Sequence, residues 1–147
     1  MQKEYFDLLK IWCDRLLELQ MNMRETEING GLICPACHII HGRCGDAIYP
    51  LITLADITGE NKYLEAAKKL FAWTENNLSK PDGSVINDRL NLWKGISVFY
   101  SMSLMEALIY HGKVLDSETY EKWENRVKKA LGFLNSQYRK NVGGNKL

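Results

Sequence analysis

A chain of 147 residues, 46% hydrophobic and 25% charged, is long enough for one domain with its own core and short for two. A formal net charge of +1 at pH 7, with no basic stripe, Arg-rich tail or acidic block, excludes a general electrostatic case for nucleic acid or an anionic membrane.

The opening stretch, MQKEYFDLLKIWCDRLLELQ, mixes acids and bases at helical spacing, so it reads as neither a signal peptide nor a membrane span. A chain beginning there is expected in the cytoplasm. Tyr5, Leu8, Leu9, Trp12, Leu16 and Leu19 recur at three- and four-residue steps and predict an amphipathic first helix, with Lys3, Asp7, Lys10, Asp14 and Glu18 outside. After Asn29-Gly30-Gly31 comes a loop without a clean period, LICPACHIIHGRCGD. A second helix is predicted from Asp46 or Tyr49, with Pro50 in its first turn, where its missing N–H does no harm. Ile48, Leu51, Ile52 and Ala55 form its apolar face, and Gly59 ends it.

A third helix is predicted from Glu60–Lys62 to about Leu78, burying Tyr63, Ala66, Ala67, Leu70, Phe71 and Leu78. Lys80-Pro81-Asp82-Gly83-Ser84 is then a turn signal. The fourth helix, Gly95 to His111, is apolar or small on nearly every side, with Glu106 its only charge, and predicts burial around most of its circumference. The fifth, capped near Asp116 or Ser117, places Tyr120, Trp123, Val127, Leu131, Leu134 and Tyr138 on one face. Trp12, Trp73 and Trp123 read as packing residues, and no window supports a sheet. The fold class is therefore all-α, built from hairpins that alternate outer and inner helices. A weak internal repeat at about fifty residues agrees with that alternation.

Chemistry concentrates in two loops. In the first, Cys34, Cys37, His38, His41 and Cys44 supply more ligands than a four-coordinate zinc site needs, but at tighter spacing than a typical zinc module. C-x-x-C-H also matches the covalent haem signature, although that chemistry needs an exported route. The preferred expectation is that Cys34 and Cys37 are small apolar fillers, that no cofactor is required, and that zinc is the alternative. His41, Arg43 and Asp46 just precede an inner helix, where Asp46 can serve as N-cap, as acid/base, or as the partner of Arg43. In the second loop, Asp88, Arg89, Trp93 and Lys94 occupy the same end of the next inner helix. A tryptophan among charges suits sugar recognition: its flat face covers the C–H face of a pyranose while polar groups bond the hydroxyls.

Two segments, GGLICPACHIIHGRCGDAIYPLITLADITGENKYLEAA and PDGSVINDRLNLWKGISVFYSMSLMEALIYHG, resemble the opening hairpins of bacterial (α/α) toroid proteins of the six-hairpin glycosidase-like superfamily. The likeness runs over roughly residues 28 to 135 and rests on the HGR-x-x-D-A-x-YP and W-K-G-I stretches. It implies a saccharide partner and a site on the loops that lead into the inner helices. Hydrolases of this class use paired carboxylates, and lyases on related folds use His, Tyr and Arg. The matching positions make Asp46, Asp88 and His41 the expected catalytic residues and Arg43, Trp93 and Lys94 substrate-binding ones, with Arg89 beside them in the second loop.

Six hairpins need twelve helices, and five are read here, with Gly143-Gly144-Asn145 where another loop is due. The expectation is a partial toroid: the N-terminal part of a longer protein, or a short form that closes its core by self-association over an uncovered helix 95–111. The competing functions are a non-catalytic helical-repeat interaction module and a zinc-stabilised helical domain.

Overall fold

The computed structural model describes residues 3–140, with side chains through residue 138; the expected loop at Gly143-Gly144-Asn145 lies outside them. Five α-helices follow in order: α1 (Lys3–Leu19), α2 (Ile48–Thr58), α3 (Asn61–Asn77), α4 (Ile96–His111) and α5 (Ser117–Lys140). Short 3-10 turns, Gly42–Ala47 and Gly112–Val114, lead into α2 and extend α4. Among the described residues there is no strand, only two isolated antiparallel bridges, Gln20 with Leu32 and Ser79 with Val85. No helix there is long and apolar enough to cross a membrane.

The helix limits follow local chemistry. α2 ends at Gly59, whose left-handed backbone (φ 71°) lets its N–H reach the Ala55 carbonyl. Asp116 caps α5 by accepting a hydrogen bond from the Thr119 N–H at 2.8 Å. Asp46 is not the cap of α2, whose first turn instead continues the 3-10 segment.

α2 packs on α3, α4 on α5, and the two hairpins join along α2 and α4. The inner helices run parallel: the Tyr49 N–H donates to Ser103 Oγ at 3.1 Å near one end, and Asp56 Oδ2 lies 2.9 Å from His111 Nδ1 at the other. The outer helices also run parallel, since Lys68 pairs with Asp116, Phe71 stacks on Trp123 and Glu75 meets Arg126. The expected alternation of outer and inner helices is thus a physical arrangement. Its core holds Ile48, Leu51, Ile52, Leu54, Tyr63, Leu70, Ile96, Tyr100, Leu104 and Trp123, all fully or almost fully buried. Each such large apolar side chain contributes about 1.5–3 kcal/mol. Gly45 admits α4 closely: an added Cβ would sit 2.6 Å from Tyr100 Cδ2.

Three expectations about packing are corrected. Trp12 is 52% exposed, along with Tyr5 and Leu8, rather than packed. Lys62, Tyr63 and Lys10 all converge on Asp14, and this polar network turns α1 so that Phe6 and Cys13 meet the core beside the expected Leu9 and Leu16. In α5 the buried line is Trp123, Arg126, Val127, Ala130 and Phe133, while Tyr120, Leu131 and Tyr138 are exposed. The cause is Arg126, which pairs with the partly buried Glu75 of α3 and draws its own side of the helix inward. α4 is buried on one side only, and Phe99, Met102, Met105, Ile109 and Tyr110 are exposed. This is the uncovered inner helix expected of a partial hairpin array.

Candidate functional site

The loops preceding α2 and α4 are bound to each other, so the polar residues they carry are held at one end of the parallel inner pair. The Gly42 N–H donates to the Asn87 carbonyl at 2.5 Å. Ser97 Oγ, in the first turn of α4, accepts from the Val85 N–H at 2.8 Å. Within the second loop Asp88 closes a tight turn: its Oδ1 accepts the backbone N–H groups of Leu90 (2.8 Å) and Asn91 (2.7 Å).

The expected site residues separate into two centres and two outlying pairs. At the first centre, Asp88 Oδ2 lies 3.0 Å from His41 Nδ1 and accepts from Asn87 Nδ2 at 2.7 Å. His41 Nε2 faces Cys37 Sγ at 3.1 Å. Asp88 is 7% exposed. Burial alone would raise its carboxyl pKa, but the bonds from His41, Asn91 and Leu90 outweigh that and hold it below its ordinary value. A carboxylate engaged by four donors acts here as a fixed acceptor that orients His41.

At the second centre, Arg43 pairs with Asp46, one of the three roles open to Asp46 from sequence. The Arg43 guanidinium lies 4.1 Å from the centroid of the Phe99 ring, and Trp93 lies 6.4 Å from Phe99, tilted by 48°. Trp93 is 50% exposed and covers Gly95 at the start of α4. Burial pushes the Asp46 carboxyl pKa up against the opposing pull of Arg43, and its Oδ1 is buried without a hydrogen-bond partner. A hollow of about 180 Å³ beside it is lined by Asp46, Tyr49, Phe99, Met102, Ser103 and Glu106. Phe99, Tyr49 and Glu106 were not among the expected residues. Helical period points to Phe99 and Glu106, which share the less buried side of α4, and to Tyr49 in the first turn of α2.

Arg89 and Lys94 are not brought to either centre. Arg89 pairs with Glu27 at 2.8 Å, and Lys94 with Asp82 at 2.6 Å. Arg89 instead borders a mostly apolar cavity of about 310 Å³, together with Met21, Ile28, Ile39, Ile40, Trp73 and Leu90.

The expectation that Cys34 and Cys37 fill space is not met: Cys37 is exposed and Cys34 partly so. Cys34 Sγ, Cys37 Sγ and a His41 ring nitrogen all lie within 4.8 Å of one another. The backbone N–H groups of Cys37 and Ala36 lower the Cys34 thiol pKa. Cys44 is packed against the core, and burial pushes its thiol pKa up to about 12. His38, with a left-handed backbone (φ 57°), lines the apolar cavity and stands outside the cluster.

Comparison with known proteins bears on what these centres serve. Residues 9–145 match the family model described as the ulvan lyase N-terminal domain. The chain is 44% identical over 126 residues to a broad-specificity ulvan lyase of Formosa agariphila, an alignment covering 84% of this chain and 20% of that protein. The chain thus spans about a fifth of the length of that relative. No solved structure matches. With its match extending over nearly the whole chain, the protein belongs to the ulvan lyase N-terminal domain family.

Proposed function

We propose that this domain holds an acidic polysaccharide of the ulvan type for cleavage by a lyase reaction. The observation that carries the reading is the Arg43–Phe99–Trp93 ledge beside Asp46, in a chain whose relative is an ulvan lyase. A polysaccharide lyase removes the proton next to a uronate carboxylate and expels the neighbouring glycosidic oxygen, leaving an unsaturated sugar. That reaction needs a cation on the carboxylate, a base that takes the proton beside it, a flat surface under the ring and a proton for the leaving oxygen. Arg43 supplies the cation, Trp93 and Phe99 the surface. Asp46, whose carboxyl pKa is pushed up by burial, is the group suited to give the proton to the leaving oxygen. Glu106 on the same hollow is the carboxylate suited to take the proton beside the uronate carboxylate. Of the two chemistries left open by the sequence, hydrolysis and elimination, the family favours elimination.

The same reading takes the parallel hairpins as a segment of an (α/α) toroid, in which the exposed side of α4 is covered by further helices or by a second copy. Light scattering on the isolated chain tests the second-copy form, which requires a dimer or larger species and fails on a stable monomer.

The activity test uses protein that carries this domain and ulvan as substrate, following the absorbance of the unsaturated product. Arg43→Ala is expected to lower kcat/KM by at least about tenfold, equivalent to about 1.4 kcal/mol. Unchanged kcat/KM in both Arg43→Ala and Trp93→Ala would overturn the assignment of the ledge.

A further inference from the structure

The first centre has a geometry that saccharide recognition does not explain. Cys34 and Cys37 sit on a tight turn closed by the His38 N–H to the Cys34 carbonyl (2.9 Å) and by the Cys34 N–H to the Ile39 carbonyl (3.0 Å). His41 comes back over that turn with its Nε2 toward Cys37 Sγ. Its other nitrogen is held by Asp88 from the opposite loop. The Asp88 carboxylate favours the proton on Nδ1, which leaves the Nε2 lone pair aimed at the two sulfurs.

We propose that Cys34 Sγ, Cys37 Sγ and His41 Nε2 bind a zinc ion, with Asp88 fixing the imidazole from behind and solvent at the fourth position. Zn–S bonds of about 2.3 Å and Zn–N bonds of about 2.0–2.1 Å set tetrahedral ligand atoms about 3.5–3.8 Å apart. The three ligand atoms already lie within 4.8 Å of one another, and the Cys37–His41 separation is 3.1 Å, so side-chain shifts of a few tenths of an ångström to about 1 Å complete the site. Two thiolates and a neutral imidazole are the soft donor set that zinc favours over hard cations. A carboxylate behind a ligating histidine is the usual means of fixing its tautomer and orientation. Neither Cys44 nor His38 takes part.

The zinc would clip the loop before α2 to the loop before α4 through His41 and Asp88, and so hold the ends of both inner helices in register. His41 is then a ligand, and the proton chemistry of the neighbouring centre rests with Asp46 and Glu106. This inference stands independently of the saccharide reading, because its test requires no saccharide.

The test is elemental analysis of the full chain, produced in zinc-supplemented medium and purified under reducing conditions without chelator. About one zinc per chain is expected. Cobalt substitution is expected to give an intense near-ultraviolet thiolate-to-cobalt band together with the visible absorption of a tetrahedral ion. Asp88→Asn is expected to weaken zinc binding by about 10- to 100-fold in a chelator competition, while His38→Ala leaves it unchanged. Cys34→Ser, Cys37→Ser and His41→Ala should each abolish stoichiometric binding. Less than about a tenth of an equivalent of zinc in the wild-type chain would overturn the proposal. So would a cobalt complex lacking the thiolate band, or zinc retained by the Cys34→Ser, Cys37→Ser double variant.

Discussion

His41 Nδ1 lies 3.0 Å from Asp88 Oδ2, a contact between residues 47 positions apart that ties together the loops leading into α2 and α4. The same carboxylate accepts two backbone N–H groups through Oδ1. Its removal therefore does more than break one pair.

Asp88→Ala is expected to cost more stability than Asp88→Asn. Alanine takes the acceptor from the Leu90 and Asn91 N–H groups, which lie on exposed residues and turn to water, so that each lost bond costs about 0.5–1.5 kcal/mol. Asparagine keeps that acceptor in its Oδ1 and loses the Oδ2 acceptor that faces His41 and Asn87. Urea unfolding of the two variants checks the order; equal losses would contradict the role given to Oδ1.

Arg126 is 3% exposed, lies 3.2 Å from Glu75 Oε1 through Nε, and donates to the Gly83 carbonyl at 2.8 Å through Nη2. Burial pushes the Glu75 carboxyl pKa up, and Arg126 opposes that push. Glu75→Gln is expected to destabilise the chain by about 3–5 kcal/mol, because the buried Arg126 charge loses its partner. Arg126→Ala should cost less, since it removes the buried charge and leaves Glu75, which is partly exposed and keeps the Tyr100 Oη donor 3.3 Å away. Comparison of denaturant midpoints at neutral pH decides between them.

Asp14 is the group whose acid titration should be visible in stability. The bonds from Lys62, Tyr63 and Lys10 hold its pKa at about 2, against an ordinary value of 3.8. Its folded pKa is depressed, so its contribution is present above pH 3.8 and is lost as pH falls toward about 2. The side chain is partly exposed, so solvent screening keeps the contribution small. The stability advantage of wild type over Asp14→Asn should be constant above that window and shrink through it, as measured by urea unfolding at a series of pH values. An advantage that grows on acidification would contradict this assignment.

The helices were legible in the sequence where local period decides burial. Tyr63, Ala66, Ala67 and Leu70 on α3 are buried as their spacing implies. The period misled on α5, where Arg126 is buried by an acid on another hairpin while Leu131 and Tyr138 stay in solvent. It misled again at Trp12, because the rotation of α1 is governed by the distant Lys62 and Tyr63. The site divides in the same way. Arg43 with Asp46 is a three-residue spacing and could be read directly. His41 with Asp88 depends on two loops meeting, and Arg43 with Phe99 on the turn before α2 meeting α4. No single stretch of sequence contains those meetings, and they also send Arg89 and Lys94 to other partners.

The central claim is that the Arg43–Phe99–Trp93 ledge receives an acidic saccharide, and a fluorescence titration of the chain with ulvan oligosaccharides tests it most directly. Trp93, half exposed, should report occupancy as a saturable change that is abolished in Trp93→Ala, weakened at least about tenfold in Arg43→Ala and reduced by added salt. No saturable change in the wild-type chain, or one that persists unaltered in both variants, would contradict the account.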